Sequence, residues 1–259
     1  MADAPKKKVV HVENSAAVEQ QNTTWKATPQ AKSQALVLRI IAAVLWVLAI
    51  GGEAFSIFYL LKQNPVNFVL LIVLLVAIAI LAIVGDVLWK RSNRLDPASR
   101  TEPVRFFVQN QLGAIIGIIA FVPLIILILL NKNMTGQQKG IAGAIGGVLL
   151  IVAVLFGISF NPPSVEQYDQ ETATVVQLTG ADAVTWTKSG KVYHLCEKAS
   201  AVNLTSKDNQ IYTGTVADAH AAGKQRLTLE VDQELAECGF PPRTSASLEA
   251  TAPAATPTP

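Results

Sequence analysis

Four long runs of apolar residues dominate the chain between Leu36 and Phe160, and polar segments of ordinary composition flank them on both sides. The runs are 36–61, 66–89, 106–130 and 140–160, each closed by polar or turn-forming residues: Lys62 with Asn64-Pro65, Lys90 with Arg91, Asn131 with Lys132, and Asn161-Pro162-Pro163. Each run holds at least about 20 residues, the length needed to cross roughly 30 Å of hydrocarbon at 1.5 Å per residue. A buried helix of a soluble protein rarely runs so far without a charged face. Inside lipid the backbone must satisfy its own hydrogen bonds, so the runs are predicted to be helices. The pattern predicts an all-α membrane bundle of four helices.

The polar segments differ from each other. Residues 1–34 are aperiodic, with Lys6, Lys7 and Lys8 near the start and Trp25 alone further on. Such a stretch buries too little apolar surface to offset its chain entropy and predicts a disordered basic tail. Because the first apolar run starts so late, the first membrane helix is expected to act as its own uncleaved insertion signal. Residues 164–240 predict a small α+β domain. Strands are expected over Ala173–Leu178, Ala183–Thr187 and Lys191–Leu195, with turns at Gly180-Ala181-Asp182 and Lys188-Ser189-Gly190. Thr215 and Asp218 stand at capping-box spacing ahead of a short alanine-rich helix that Gly223 would stop. Leu227, Leu229 and Val231 alternate as in a half-buried strand. The Ala-, Thr- and Pro-rich segment 241–259 predicts a disordered tail.

Composition sharpens this picture. The 259 residues are 51% hydrophobic and only 15% charged, whereas a soluble domain carries nearer a quarter charged residues. The formal net charge of +2, with no stripe of basic residues interleaved with aromatics, argues against nucleic acid as a partner. Basic residues are nevertheless unevenly placed. Lys6, Lys7, Lys8, Lys26, Lys32 and Arg39 precede or open the first helix, and Lys90, Arg91, Arg94, Arg100 and Arg105 fill the second loop. The first and third loops have only Lys62, Lys132 and Lys139. By the positive-inside rule the N-terminus and second loop are cytoplasmic, and four crossings return the C-terminal domain to that side.

Candidate chemistry is sparse. Glu53 follows Gly51-Gly52 inside the first apolar run. An intramembrane carboxyl points to a proton or cation site; the structural alternative is a protonated acid bonded to a neighbouring helix. Asp86 precedes Trp89, Lys90 and Arg91 and is expected to pair with those cations at the headgroups. Gly113 and Gly117, and Gly143 and Gly147, stand at GxxxG spacing, as do Gly136 and Gly140. Such small residues let helices approach closely, either to a partner subunit or between the third and fourth helices themselves. Cys196 and Cys238 permit a disulfide, or a thiol pair, or with His194 and His220 a weak metal site. Oxidation would be expected outside the cytoplasm and reduced thiols inside it. No phosphate-binding loop, dinucleotide fingerprint, zinc-protease helix or serine-hydrolase elbow is present. The residues predict no catalysis and no cofactor.

Two resemblances add to this. Gly190-Lys191-Val192-Tyr193-His194, and Gly214-Thr215-Val216-Ala217-Asp218-Ala219-His220-Ala221-Ala222-Gly223-Lys224, resemble in outline a small module appended to bacterial nucleases and envelope proteins. There a Tyr-His pair precedes a cysteine, and a short helix leads to a second cysteine cluster. Here Cys196 falls closer to His194, and Cys238 alone stands for the second cluster. The whole layout resembles multi-pass membrane proteins of actinobacteria, corynebacteria in particular. These include accessory subunits of the cytochrome bc–aa3 respiratory supercomplex. That resemblance implies a non-catalytic accessory or structural subunit, with the lipid bilayer and other membrane subunits as partners. The alternatives are a small transporter or channel component using Glu53, or a membrane-tethered thiol or metal sensor.

Overall fold

A computed structural model describes residues 7–12, 25–204 and 208–243. The chain divides into two compact units. One comprises residues 33–162; the other combines residues 1–32 with 163–259.

The first unit contains the four predicted helices: α1 (Pro29–Phe58), continued by a 3-10 turn over Leu60–Lys62, α2 (Phe68–Leu95), α3 (Pro103–Leu130) and α4 (Gly136–Gly157). All four are long and apolar enough to cross a membrane. Their ends follow local capping chemistry more than hydropathy. Helix α1 starts at Pro29, seven residues before the apolar run, because proline suits a first turn and the Thr28 hydroxyl accepts from the Ala31 amide at 3.1 Å. The Asn67 side chain accepts from the Leu70 amide to open α2. Thr135 and Gln138 form a reciprocal capping box on α4. Helix α2 runs on past Trp89 through Lys90, Arg91 and Arg94, a polar extension that hydropathy alone would have cut off.

The bundle core is formed by Leu71, Leu75 and Ile78 of α2 with Phe121, Leu124 and Ile128 of α3. Helices α3 and α4 make the most extensive contact, and α2 packs against both. The opposite faces carry large apolar side chains: on α1, Val37, Ile40, Val44 and Val47 are all exposed. That inversion of the soluble-protein pattern suits hydrocarbon as the surrounding medium.

The second unit holds α5 (Val165–Thr179), a three-stranded sheet, and two short helices, α6 (Val216–Ala221) and α7 (Val231–Cys238). The strands β1 (Lys8–His11), β2 (Val184–Trp186) and β3 (Gln210–Gly214) lie in the order β1-β3-β2. Strand β1 is parallel to β3, with Lys8 opposite Gln210, and β2 is antiparallel to it, with Val184 opposite Gly214. Val175, Val184, Trp186, Tyr193, Val216 and Ala219 form the main core.

Several expectations for the polar segments need correction. The disordered tail assigned to residues 1–34 contributes an edge strand at Lys8–His11 and a buried Trp25, 5% exposed, before α1 begins. Its composition gave no signal because the segment borrows its core and its hydrogen-bond partners from residues far along the chain, Tyr168 and Asp169 for Trp25 and Gln210–Thr213 for the strand. Residues 13–24 and the tail after 243 lie outside the described residues. Ala173–Leu178 is helical, within α5. Ser164 caps that helix by accepting from the Gln167 amide, and the buried Tyr168, Val175 and Leu178 share one helical face, which outweighed the local β propensity. Lys191–Leu195 pairs only through two isolated bridges, one from His194 to Thr185 and one from Tyr193 to Leu227. Leu227 likewise makes a single bridge to Tyr193, Leu229 is 75% exposed, and Val231 opens α7. The capping box at Thr215 and Asp218 forms as expected.

Candidate functional site

Polar side chains inside the membrane bundle are few and placed at helix contacts. Along α1 the buried positions Ala42, Trp46, Ala49, Glu53 and Ser56 form one stripe at helical spacing. Glu53 is 5% exposed, and its Oε1 has no hydrogen-bond partner among the described residues. Its carboxyl meets the backbone of Leu124 on α3, one residue beyond Pro123.

Asp86 departs from expectation. It does not reach the headgroups with Lys90 and Arg91 but is 1% exposed and accepts from the Trp46 indole N–H at 3.2 Å. Lys90 instead extends its ammonium to the Ile158 carbonyl, 2.6 Å away, just past the end of α4. Terminal carbonyls of a helix lack intrahelical donors and attract a cation. Asp86 fits only because its neighbours are glycines. A Cβ on Gly113 would stand 2.5 Å from Asp86 Oδ1, and one on Gly85 would stand 2.6 Å from Trp46 Nε1. Asp86 Oδ2 and Asn110 Oδ1 are both buried without a partner among the described residues. Around them, the Trp89 indole and the Asn93 amide both donate to the Gln109 carbonyl, and Arg39 pairs with Asp96 at 2.9 Å.

The glycine motifs resolve unequally. A Cβ on Gly113 would also come within 3.0 Å of Gly157 Cα, one on Gly117 would touch Ala153 and Val154, and one on Gly143 would meet Leu129 at 2.9 Å. These three serve contact between α3 and α4. Gly147, together with Gly136 and Gly140, has nothing within 4 Å of a built Cβ.

In the second unit Cys196 and Cys238 are joined in a disulfide, with Cα atoms 6.1 Å apart. It ties the segment after His194 to the end of α7, beside the small core of Leu178, Leu195, Val231 and Leu235. The two histidines are engaged by carboxylates. His194 Nδ1 lies 2.6 Å from Glu234 Oε1, whose other oxygen accepts from the Leu195 amide. His220 Nδ1 faces the Lys224 carbonyl at 3.0 Å and Nε2 faces Glu171 Oε2 at 3.0 Å. A carbonyl can only accept, so Nδ1 carries a hydrogen. Glu171 Oε2 also accepts from the Tyr193 hydroxyl at 2.7 Å. Burial first, and then the Glu171 charge, hold that phenol well above its ordinary range. His220 stacks on Tyr168 with centroids 3.6 Å apart, and Trp25 meets Tyr168 edge-on. Lys224 is 4% exposed and donates to the carbonyls of Thr187, Lys188 and Gly190. Burial lowers its ammonium from the ordinary lysine value. No group of three or more His, Cys, Asp or Glu positioned to hold a metal occurs among the described residues.

The sequence pointed to Glu53, the cysteines and the glycines. It did not connect Asp86 with Trp46 and Gly113, or Glu171 and Trp25 with His220. Those groupings depend on contacts between elements distant in the chain, for which local spacing carries no signal.

No family model, curated protein or solved structure matches the chain.

Proposed function

We propose that this integral membrane protein is a non-catalytic accessory subunit of a larger membrane assembly. The observation that carries the proposal is the unequal use of its glycines. Gly113, Gly117 and Gly143 are consumed by packing within the bundle, whereas Gly140 and Gly147 on α4 face open space together with the exposed Ala144 and Ile151. In lipid, where apolar faces gain little by merely being apolar, a small-residue face is where a partner helix can approach closely. A respiratory assembly of the actinobacterial cytochrome bc–aa3 type is the particular case that the layout suggests.

The uneven distribution of basic residues supports a cytoplasmic location for both polar ends. In this reading the small domain formed by those ends is the soluble contact element of the subunit.

Extraction in a mild detergent followed by native electrophoresis tests the proposal. The protein should migrate in a species far larger than a monomer. Gly147→Leu should release it from that species while leaving the bundle folded. Migration of the wild-type protein only as a free monomer would refute the assignment.

A further inference from the structure

The bundle interior carries two carboxyls whose hydrogen bonding is incomplete. Asp86 is 1% exposed with Oδ2 unpartnered, and Glu53 is 5% exposed with Oε1 unpartnered. Asp86 lies against Gly113, and Asn110, one helical turn earlier on α3, is 4% exposed with its own amide oxygen unpartnered. The Asn110 amide nitrogen is already committed to the Phe106 carbonyl at 2.8 Å. Two buried oxygens that can only accept therefore sit on facing helices without a donor among the described residues. Leaving such groups unpaired in an apolar interior is costly. Protonation removes the charge from a buried Asp86 carboxyl whose Oδ2 has no donor, and so lowers that cost.

Depth along α1 can be judged from its charged ends. Arg39, paired with Asp96, and Lys62 bracket roughly 35 Å of helix at 1.5 Å per residue. Trp46, which marks the level of Asp86, lies about 10 Å in from Arg39, and Glu53 about 21 Å in. Both acids therefore fall within the hydrocarbon span. Trp46, which bonds Asp86, and Glu53 lie on one stripe of α1, about 10 Å apart along the axis, at two helical turns.

We propose that Asp86, framed by Trp46 and Gly113, is a proton-exchanging site in the membrane interior, and that Glu53 is a second one about two helical turns deeper along α1. The proton taken up forms the Asp86 Oδ2–H bond and comes from water at the Arg39 side. On release it returns there, leaving a carboxylate whose Oδ1 is still held by the Trp46 N–H. The groups placed against Asp86 are Trp46 from α1 and Gly113 from α3. The charge acting on it is that of Lys90 on its own helix. Glu53 meets the Leu124 backbone of α3, and its neighbour Gly52 lies against Ile78 of α2.

Infrared difference spectroscopy of the full chain in liposomes, stepped through pH in H2O and D2O, tests this directly. Two carbonyl bands of protonated carboxyls are expected. Both should shift on deuteration and fade as pH rises. Asp86→Asn should abolish one and Glu53→Gln the other. Trp46→Phe, which removes the N–H donated to Asp86 and leaves both acids in place, should shift only the Asp86 band, so the assignment survives even if one acid variant fails to fold. Bands in the wild-type protein that neither exchange nor titrate would mark permanently neutral packing acids and overturn the proposal. So would the absence of protonated carboxyl bands.

Discussion

Removing the Cys196–Cys238 bond should strongly destabilise the domain that contains it. The bond joins positions separated by 42 residues. A loop of that length costs the open chain about 13 cal/mol/K on closure, which at 25 °C amounts to about 4 kcal/mol of stability lent by the cross-link. A domain of this size has a total of roughly 4–12 kcal/mol, at ~0.05–0.15 kcal/mol per residue. The bond therefore supplies a large share. At about 4–8 °C per kcal/mol for so small a domain, the Cys196→Ser/Cys238→Ser variant should melt about 15–30 °C below the oxidised wild type. The same loss should follow reduction of the wild-type protein, which separates the effect of the bond from that of the serines. Calorimetry on the full chain in detergent reads the midpoint. Hydrogen exchange over Val231–Cys238 reads the local consequence, since that helix and Leu195 share a core of only four buried apolar side chains. A shift of less than about 3 °C under both treatments would show that the bond does not hold the domain together and would refute the loop-entropy argument.

Two further substitutions probe the remaining contacts. Gly157→Ala would place a methyl 2.3 Å from the Ala114 backbone nitrogen, an overpacking that should cost about 1–3 kcal/mol of bundle stability; Gly147→Ala, with open space around it, should leave the thermal midpoint of the bundle unchanged, and equal effects would contradict the packing described. Asp182 is raised above its ordinary carboxylate value, chiefly by burial and then by Asp218, against the Val216 amide and His220. A raised acid contributes stability that is present below its unfolded value and lost as pH climbs through its folded one. Asp182→Asn, which keeps the oxygen that accepts from Val216 at 2.9 Å, should therefore gain stability relative to wild type as pH rises through the mildly acidic range. Parallel pH–stability curves for the two proteins would exclude this.

The membrane bundle was legible in the sequence because lipid imposes one rule on every residue of a span. Length and hydropathy suffice to find the helices, and their ends slip only where capping takes over, as at Thr28-Pro29 and along the Lys90–Leu95 extension of α2. The polar domain was less legible because its elements are short and lean on one another. Strand β1 has just four residues and exists by pairing with β3, while Val175 and Val176 looked strand-like until the Ser164 cap and the Tyr168 face made them helical. The candidate sites divide the same way. Glu53 is conspicuous in sequence as a charge in an apolar run. Asp86 was equally visible but was assigned to Lys90 and Arg91, because nothing in sequence reveals that Gly85 and Gly113 leave room for it beside Trp46.

The pairing of β1 with β3 brings the segments that precede and follow the four helices into one domain. That requires an even number of crossings, in agreement with four helices. Charge and disulfide then make opposite demands on the side. Lys26, Lys32, Arg39, Lys90, Arg91, Arg94, Arg100 and Arg105 flank the spans on the domain side, against Lys62, Lys132 and Lys139 on the other, which favours the cytoplasm. A persistent disulfide favours an oxidising compartment. The order of events decides between them. Basic residues act during insertion, before the domain has folded, whereas the thiols meet only in the folded domain and then adopt the redox state of whichever side they occupy. The domain is accordingly expected in the cytoplasm with Cys196 and Cys238 reduced in growing cells, at a stability lower by the loop-closure term and restored on oxidation. A membrane-impermeant maleimide should then leave intact cells unlabelled and modify both cysteines once the cells are permeabilised, with no prior reductant. Labelling of intact cells that appears only after treatment with an impermeant reductant would place the domain outside, with the disulfide closed, and would reverse the orientation of all four helices.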